Sequence, residues 1–289
     1  ENKGDKMLVS GYELLQEAKR LGKCIPQFNI INLEWTKAIL QEANYQQHPV
    51  ILGINEKSIN YMGGYNTVVQ VVKTLIKDLN ISIPVVLHLD HSRDGTNPKA
   101  CLDAIASGFT SVMMDASRFD MKTNIEKTKL IVDKAKEQGV SVEGELGYIG
   151  LGKTNNGDLD GYTDYQDAIN FIQATGIDSF APAIGNYHGI YRGKLALNYD
   201  LLAQLSKKIT IPIVIHGGSG ISDDDIIKLV KNGASKINFN TELQMAWIKG
   251  VRQYLDKHTD IYDAREVILA GKQELRAIVR KKIQILKGN

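Results

Sequence analysis

The sequence is poor in cysteine, in long apolar runs and in signals for export. Its two cysteines among 289 residues, Cys24 and Cys101, cannot form a disulfide framework and make no Cys-x-x-Cys pair. No stretch reaches the roughly 18 uncharged apolar residues that a membrane helix needs, and the residues before Met7 lack the apolar core of a signal peptide. We therefore expect a cytoplasmic protein with no membrane partner.

An excess of charge of one sign is also lacking. Lys and Arg together number 35, Asp and Glu number 33, and the net charge is +2, without any basic block. Nucleic-acid binding requires concentrated positive charge, so we predict no nucleic-acid partner. The 43% of hydrophobic residues suffices for a large core and excludes a disordered chain. The length fits about two average domains or one α/β barrel of ~250 residues.

Short apolar runs alternate with segments of helical periodicity along the chain. Several runs are apolar throughout, which is typical of parallel strands buried on both faces. Eight β-then-α units predict an α/β fold, a (β/α)8 or TIM barrel. A doubly wound open sheet is the alternative, but no Gly-x-Gly-x-x-Gly follows the first strand. The predicted strands are 25–30, 49–54, 84–90, 111–115, 141–146, 178–184, 211–216 and 235–240, and helical periodicity is found at 33–43, 67–79, 124–137 and 225–231.

Two helices carry start signals of the capping-box type. These signals are Thr163 with Gln166 and Ser222 with Asp225.

The last part of the chain lies beyond the repeating pattern. Residues 264–286 predict one additional basic helix with no strand before it, and no low-complexity linker interrupts the chain. We expect a single domain over residues 1–289, with the barrel at 7–258 and a C-terminal helical extension at 262–289.

Polar side chains follow several predicted strands, where a barrel carries its active site. Three of the six histidines, His91, His188 and His216, fall just past predicted strands three, six and seven. Three histidines that converge from three strand ends suit a catalytic zinc ion, which keeps one coordination position open for substrate. His88 lies within strand three on the same side as Asp90, and we interpret it as a structural residue or a support for the ligands.

Acidic residues also end strands near the predicted metal. Asp115 ends strand four, and strand five carries Glu143 and Glu145. Asp115 and Glu145 can orient the ligands, hold a second cation or make ordinary hydrogen bonds, and the sequence leaves these alternatives open. The other two histidines, His48 and His258, are predicted at the surface.

A glycine-rich turn indicates a phosphate site. Gly217-Gly-Ser-Gly220 follows predicted strand seven, and the loops after strands seven and eight are the usual phosphate site of such barrels. Glycines let backbone N–H groups approach oxyanions, and Ser219 and Thr241 can add hydroxyl donors. We therefore predict a phosphorylated substrate.

Two asparagines lie nearby in the sequence. Asn238 and Asn240 alternate with a phenylalanine, which predicts that both amides face one side.

A metal, a phosphate site and an acid at strand three together favour carbanion chemistry beside a phosphate ester. Zinc can polarise a ketone and stabilise the enediolate that forms when a bond at the adjacent carbon breaks. A Schiff-base aldolase would need a lysine at a strand end, but strands six and seven have none, and Lys236 is early in strand eight. The Schiff-base route is therefore disfavoured.

Several motifs resemble those of the class II zinc-dependent fructose-bisphosphate and tagatose-bisphosphate aldolases. The similarity extends from about Met7 to the C-terminus. The motifs that carry it are His88-Leu-Asp-His91, His188-Gly189, His216-Gly-Gly-Ser-Gly220 and Asn238-Phe-Asn-Thr241, with further matches at 32–40, 61–65 and 108–113.

The resemblance implies a role for each matching residue. His91, His188 and His216 would bind zinc, Asp90 would handle the proton of the hydroxyl at the cleaved bond, and Glu145 matches a residue near the metal. The residues implied in binding dihydroxyacetone phosphate and its phosphate group are Asn29, Gly189, Gly217, Ser219, Asn238, Asn240 and Thr241.

The resemblance also implies an assembly and a cofactor. Arg265 matches an arginine that reaches into the neighbouring subunit of a homodimer or homotetramer to meet a second phosphate; a solvated basic helix face is an equal alternative. The cofactor is one catalytic Zn²⁺, with a monovalent cation as an optional second ion.

The implied reaction belongs to glycolysis and carbohydrate metabolism. It is the reversible cleavage of a ketose 1,6-bisphosphate, fructose 1,6-bisphosphate first, to dihydroxyacetone phosphate and glyceraldehyde 3-phosphate through a zinc-stabilised enediolate. Tagatose 1,6-bisphosphate or another ketose phosphate is the close alternative. A catalytically weak paralogue that binds sugar phosphate is a second alternative, which retained Asp90 disfavours and the lack of a glutamate in the loop after strand five favours.

The sequence departs from the family pattern in several places. The family commonly has Gly-Gly-x-Glu-Asp after strand five, and its glutamate moves the substrate proton, but residues 148–161 contain no glutamate. Asp158 or Asp160 is the substitute that we predict, with a slower proton-transfer step as the alternative. The other departures, which we place around the aldehyde half of the substrate, are Asn55, Ser92-Arg93 and Ser117-Arg118.

Overall fold

A closed barrel of eight parallel strands forms the centre of the molecule, with neighbours in chain order and β8 beside β1. The computed structural model describes residues 7–92, 98–147, 149, 161–189 and 195–287. The prediction of a (β/α)8 barrel is confirmed, and the open-sheet alternative is wrong. The strands are β1 (Ile25–Asn29), β2 (Val50–Ile54), β3 (Val85–Leu89), β4 (Ser111–Met114), β5 (Ser141–Leu146), β6 (Ser179–Pro182), β7 (Ile213–Ile215) and β8 (Ala234–Phe239).

Helices surround the barrel and pack on the outward-facing apolar residues of the strands, such as Phe28, Leu52 and Leu87. Ser222 caps its helix as predicted, but the start signal at Thr163 is wrong, because the Asp164 carboxylate accepts the first free N–H groups instead. The helices are α1 (Gly11–Arg20), α2 (Leu33–Tyr45), α3 (Glu56–Met62), α4 (Tyr65–Asp78), α5 (Lys99–Ser107), α6 (Met121–Lys136), α7 (Tyr165–Thr175), α8 (Tyr199–Lys208), α9 (Asp223–Lys231), α10 (Thr241–Lys257), α11 (Ala264–Leu269) and α12 (Lys272–Lys287).

The C-terminal segment contains two helices, so the prediction of one continuous helix over 264–286 is wrong. The chain breaks at Gly271, where a Cβ atom would lie 2.5 Å from the ring of Trp247. After the break, α12 packs against α2 and α10. The buried carboxylate of Glu42 on α2 pairs with Arg276 and Arg280 of α12 at 2.8 Å each.

Helix α1 closes the amino end of the barrel. Its Leu15 and Ala18 pack against Ile25, Ile51 and Val86, which point inward from β1, β2 and β3. The opening of the barrel therefore lies at the carboxyl ends of the strands, as the histidine pattern requires.

Two expectations about the surface have different outcomes. His48 is buried, with its Nδ1 2.8 Å from the carbonyl oxygen of Pro49, so its predicted surface position is wrong. His258 is exposed at the end of α10. Within the described part of the chain, no helix is both long enough and apolar enough to cross a membrane.

Candidate active site

Three histidine side chains meet at the carboxyl end of the barrel. His91 follows β3, His188 follows β6 and His216 follows β7. Their ring centroids lie 4.7–5.6 Å apart, and each ring offers a nitrogen within 4.8 Å of the others. The structure thus brings together the three residues that the sequence singled out.

Local backbone conformations bring these rings together. His91 has φ +52°, in the left-handed region that non-glycine residues rarely adopt. Gly217 has φ +65°, and a Cβ there would collide with the carbonyl oxygen of Tyr187. The side-chain amide of Asn186 donates to the carbonyl oxygen of His216 at 3.0 Å. These contacts join the turns after β6 and β7 and hold His188 and His216 beside one another.

Carboxylates fix which nitrogen of two histidines faces the centre. His91 Nδ1 lies 2.8 Å from Asp115 Oδ2, and His216 Nε2 lies 2.7 Å from Glu143 Oε1. An ionised carboxylate only accepts hydrogen bonds, so these two nitrogens carry the protons. The opposite nitrogens, His91 Nε2 and His216 Nδ1, face each other at 3.0 Å. Two lone pairs at that distance require a positive charge between them, either a proton or a metal ion.

The donor set fits a metal ion. The Nε2 atom of His188 is buried and has no hydrogen-bond partner. Burial, with the charges on His91 and His216, lowers the pKa of His188 to about 3, so its ring is neutral and able to ligate. Burial opposes charge on His91, but the hydrogen bond to Asp115 and the charge on Asp90 raise its pKa to about 10. The same acidic surroundings favour a divalent cation.

Asp90 lies directly beside the histidines and is buried. Its Oδ2 accepts from Asn29 Nδ2 at 2.6 Å, and its Oδ1 accepts from Asn238 Nδ2 at 3.4 Å. Burial alone would raise the pKa of Asp90, but the charges on His91 and His216 hold it below its usual range. The carboxylate is therefore ionised at neutral pH and held by amides from β1 and β8.

The two other predicted acidic residues differ in their contacts. Asp115 accepts from His91 and from the hydroxyl of Ser117 at 2.8 Å, which supports an orienting role. Glu145 Oε2 lies 3.6 Å from His216 Nδ1 and has no hydrogen-bond partner. Burial and the charge on Asp115 raise the pKa of Glu145 to about 8. Together with His91, these carboxylates also lie close enough to hold a cation.

The predicted phosphate residues lie where β7 and β8 run into their helices. The Ser219 hydroxyl oxygen accepts from the backbone N–H groups of Asn240 and Glu242, at 3.1 and 3.3 Å. Thr241 is the first residue of α10, so its helix N-terminus lies in the same turn. Gly189 and Gly217 both have positive φ.

The predicted pairing of two asparagines holds only in part. Asn238 contacts Asp90 at the barrel interior. Asn240 lies one residue past β8, and its Oδ1 accepts from Gln244 of α10 at 2.8 Å, so its side chain does not continue the strand alternation.

Three of the departures from the family pattern, Ser92, Ser117 and Asn55, have structural functions. Ser92 is buried and its hydroxyl accepts from the Asp115 backbone N–H, while Ser117 contacts the Asp115 carboxylate. Both serines thus support the partner of His91, and their predicted place at the aldehyde half gains no support. Asn55 caps α3. Arg93, Asp158 and Asp160 lie outside the described residues.

Arg265 lies on α11, far from the histidines along the chain. Its guanidinium is exposed and pairs with Asp263 at 2.7 Å. The hydroxyl of Tyr254 donates to Glu266 at 2.6 Å, which holds α11 to the far end of α10. Tyr254 is 13 residues from Thr241, or roughly 20 Å along the helix axis.

Sequence reasoning assigned no role to Glu143 and Lys236. The Lys236 Nζ atom, from β8, lies 2.5 Å from Glu143 Oε2, inside the barrel. Burial would raise the pKa of Glu143, but Lys236 and the hydrogen bond from His216 hold it well below its usual range. Strand alternation was the available signal, because it puts Glu143 on the face of Glu145 and Lys236 on that of Asn238.

Comparisons with known proteins show which proteins this chain is similar to. The family model described as fructose-bisphosphate aldolase class-II matches residues 9–289. The chain is 43% identical over 279 residues to a fructose-bisphosphate aldolase of Geobacillus stearothermophilus and 42% identical over 279 residues to one of Staphylococcus epidermidis, with 96% of both chains covered in each case. The solved structure of the YdjI aldolase of Escherichia coli K12 matches with a TM-score of 0.82 at 28% identity, covering 97% of each chain.

Proposed function

Because the chain belongs to the class-II fructose-bisphosphate aldolase family, we propose that it reversibly cleaves fructose 1,6-bisphosphate to dihydroxyacetone phosphate and glyceraldehyde 3-phosphate. The observation that carries this proposal is the convergence of three histidines beside the ionised carboxylate of Asp90. A role in cytoplasmic glycolysis follows from the family and is part of the proposal.

One divalent metal ion, zinc, would be held by His91, His188 and His216. The orphaned Nε2 of His188 and the facing nitrogens of the other two rings support this assignment. When bound, the metal would supply a Lewis acid for the ketone oxygen of the substrate. Asp115 and Glu143 hold protons on His91 Nδ1 and His216 Nε2, so that His91 Nε2 and His216 Nδ1 face the metal position.

Asp90 handles the proton of the breaking bond. In the cleavage direction it takes the proton from the hydroxyl group that becomes the aldehyde, while the carbon–carbon bond electrons pass to the dihydroxyacetone phosphate half. Asn29 and Asn238 hold its carboxylate in place. In condensation the same proton returns to the new hydroxyl group.

The turn after β7 and the start of α10 bind the phosphate of dihydroxyacetone phosphate. Gly189 and Gly217 give a backbone that approaches closely, and Ser219 and Thr241 add hydroxyl groups at a helix N-terminus. Asn29, Asn238 and Asn240 contact the hydroxyl and carbonyl oxygens of that half.

A second proton transfer, at the enediolate carbon, is assigned to the loop after β5. Asp158 and Asp160, the carboxylates of that segment, are its candidate carriers. Glu145 is the alternative carrier, because its Oε2 lies near the ligating nitrogen of His216.

The enzyme acts as a homodimer or homotetramer in this proposal. Several large apolar side chains on α10 and α11 are exposed: Met245, Ile248, Leu255, Ile268 and Leu269. Exposed apolar side chains on two helices that contact each other favour contact with another copy. Arg265 extends from the same region: the Tyr254–Glu266 hydrogen bond joins α11 to the far end of α10, and Tyr254 lies roughly 20 Å along the helix axis from Thr241. Arg265 would therefore read the second phosphate in a neighbouring subunit.

The test is a substrate panel. Zinc-loaded protein is assayed with fructose 1,6-bisphosphate, tagatose 1,6-bisphosphate and fructose 1-phosphate, and dihydroxyacetone phosphate release is measured. We expect the highest kcat/KM with fructose 1,6-bisphosphate. A higher value with the tagatose epimer would support the second candidate. Binding without cleavage of any substrate would overturn the proposal in favour of a sugar-phosphate-binding paralogue.

A further inference from the structure

A buried lysine lies inside the barrel and takes no part in the chemistry described above. Lys236 is 1% exposed, and its ammonium is 2.5 Å from Glu143 Oε2 and 3.5 Å from His88 Nε2. His88 Nδ1 in turn lies 2.7 Å from the hydroxyl of Ser111. The lysine is therefore fixed by β3 and β5 on the opposite wall of the barrel.

The two oxygens of Glu143 have different partners. Oε2 binds the Lys236 ammonium, and Oε1 accepts from His216 Nε2 at 2.7 Å. The carboxylate cannot turn to improve one contact without weakening the other. The position of the lysine thus determines the plane of the carboxylate, and the carboxylate determines which nitrogen of His216 faces His91.

The other orienting carboxylate in the site needs no such lysine. Asp115 is 15% exposed and accepts a hydroxyl hydrogen bond from Ser117, so polar surroundings support its charge. Glu143 is 1% exposed. A buried carboxylate without a counter-charge is strongly unfavourable, so an internal cation is required to keep Glu143 where it is.

We propose that Lys236 is a positioning residue of the metal centre, which holds Glu143 so that His216 presents Nδ1 to the metal. The inference rests on the proposed metal site and adds a residue from β8, the strand that otherwise supplies substrate contacts. It predicts that metal affinity, rather than only folding, depends on a side chain that does not touch the metal.

The test compares zinc affinities by competition with a chelating dye. Lys236→Met removes the ammonium and keeps most of the side-chain volume; we expect zinc to bind about 10–100-fold more weakly. Lys282→Met is the matched control. Lys282 lies on α12, is also buried, and pairs with Glu242 of α10 at 3.2 Å. This variant should leave zinc affinity within about twofold of the parent, while its effect on the melting temperature measures the loss of a buried ion pair.

A second variant tests the charge argument. In Lys236→Met/Glu143→Gln the amide oxygen can still accept from His216 Nε2, and no unpaired charge is buried. We expect this double variant to recover most of the parent zinc affinity and to restore the parent absorption spectrum of the Co²⁺-substituted protein. If Lys236→Met alone does not fold, the double variant still tests the proposal, because its zinc affinity can be measured against that of the parent.

The outcomes are distinct. Parent-like zinc affinity in Lys236→Met would overturn the proposal, and so would a double variant that binds zinc at least tenfold more weakly than the parent. A parent protein that binds neither zinc nor Co²⁺ would instead overturn the proposed function on which the inference rests.

Discussion

The two ends of the barrel interior have opposite chemical characters. At the amino end, Leu15 of α1 packs against the apolar side chains of Ile25, Ile51 and Val86. At the carboxyl end, the buried side chains are carboxylates, amides and imidazoles. Apolar burial stabilises the fold, whereas each buried polar group costs free energy unless it finds a partner. The amino end therefore serves stability, and the carboxyl end accepts a cost that only function explains.

Unpartnered atoms mark where that cost is concentrated. Glu145 Oε2, His188 Nε2 and Asn238 Oδ1 are buried at the carboxyl end without a hydrogen-bond partner. Leaving such an atom unsatisfied costs about 1–3 kcal/mol. A metal ion and a hydroxyl-rich substrate offer the missing partners, so ligand binding should stabilise this end far more than the other.

Loss of one metal ligand should give the largest effect. His216→Ala should remove most bound zinc and lower cleavage by about 10³-fold or more, because a three-ligand site has no spare ligand and the metal supplies several kcal/mol. Metal content by atomic absorption and steady-state turnover check this. His258→Ala, at an exposed histidine, is the control. Full metal content and turnover in His216→Ala would refute the ligand assignment.

The proton carrier of the loop can be tested separately. Changing both Asp158 and Asp160 to Asn should slow solvent exchange of the dihydroxyacetone phosphate proton by roughly 10²–10⁴-fold if one of them is the base. NMR of the substrate in deuterated water measures this exchange. Exchange at the parent rate would exclude the loop and favour Glu145.

A core substitution at the amino end of the barrel should lower stability and leave turnover unchanged. Leu15→Ala should lower the free energy of unfolding by about 2–5 kcal/mol while kcat stays unchanged, because the cavity forms far from the histidines. Denaturant titration and turnover of the folded protein measure the two quantities. Tyr12→Ala, at an exposed position of the same helix, should change neither. A large loss of kcat in Leu15→Ala would show that the two ends are coupled.

The smallest effect is expected from a substitution at Arg265, on the surface of α11. Arg265→Ala should reduce kcat/KM for bisphosphates about ten- to hundredfold more than for a ketose 1-phosphate, because a charge-assisted contact to the second phosphate is lost. Kinetics with both substrates check this. Equal losses on the two substrates would exclude a role in reading the second phosphate.

The sequence predicts the strands well, because several are short apolar runs buried on both faces, as at 85–89 and 213–215. It does not predict the break at Gly271, which arises from close approach to Trp247 on another helix. Nor does it predict the start of α7 at Asp164, since Thr163 uses its hydroxyl to hold the turns after β5 and β6.

The candidate site likewise contains residues that the sequence predicts and residues that it does not. His91, His188 and His216 are predictable because strand ends meet at one rim of a barrel. The pair of Glu143 and Lys236 is not, because β5 and β8 are not neighbours and only the closed barrel brings their side chains together. Residues that act alone at a strand end are visible in the sequence; residues that act through a partner across the barrel are not.

The most direct measurement concerns Asp90, which separates metal binding from proton transfer. Asp90→Ala protein should be assayed for bound zinc and for fructose 1,6-bisphosphate cleavage in the same sample. The predicted result is a parent-like zinc content, because all three histidines remain, with cleavage reduced by roughly 10²–10⁴-fold. Cleavage at the parent rate with zinc still bound would contradict the assignment of Asp90 as the acid–base residue.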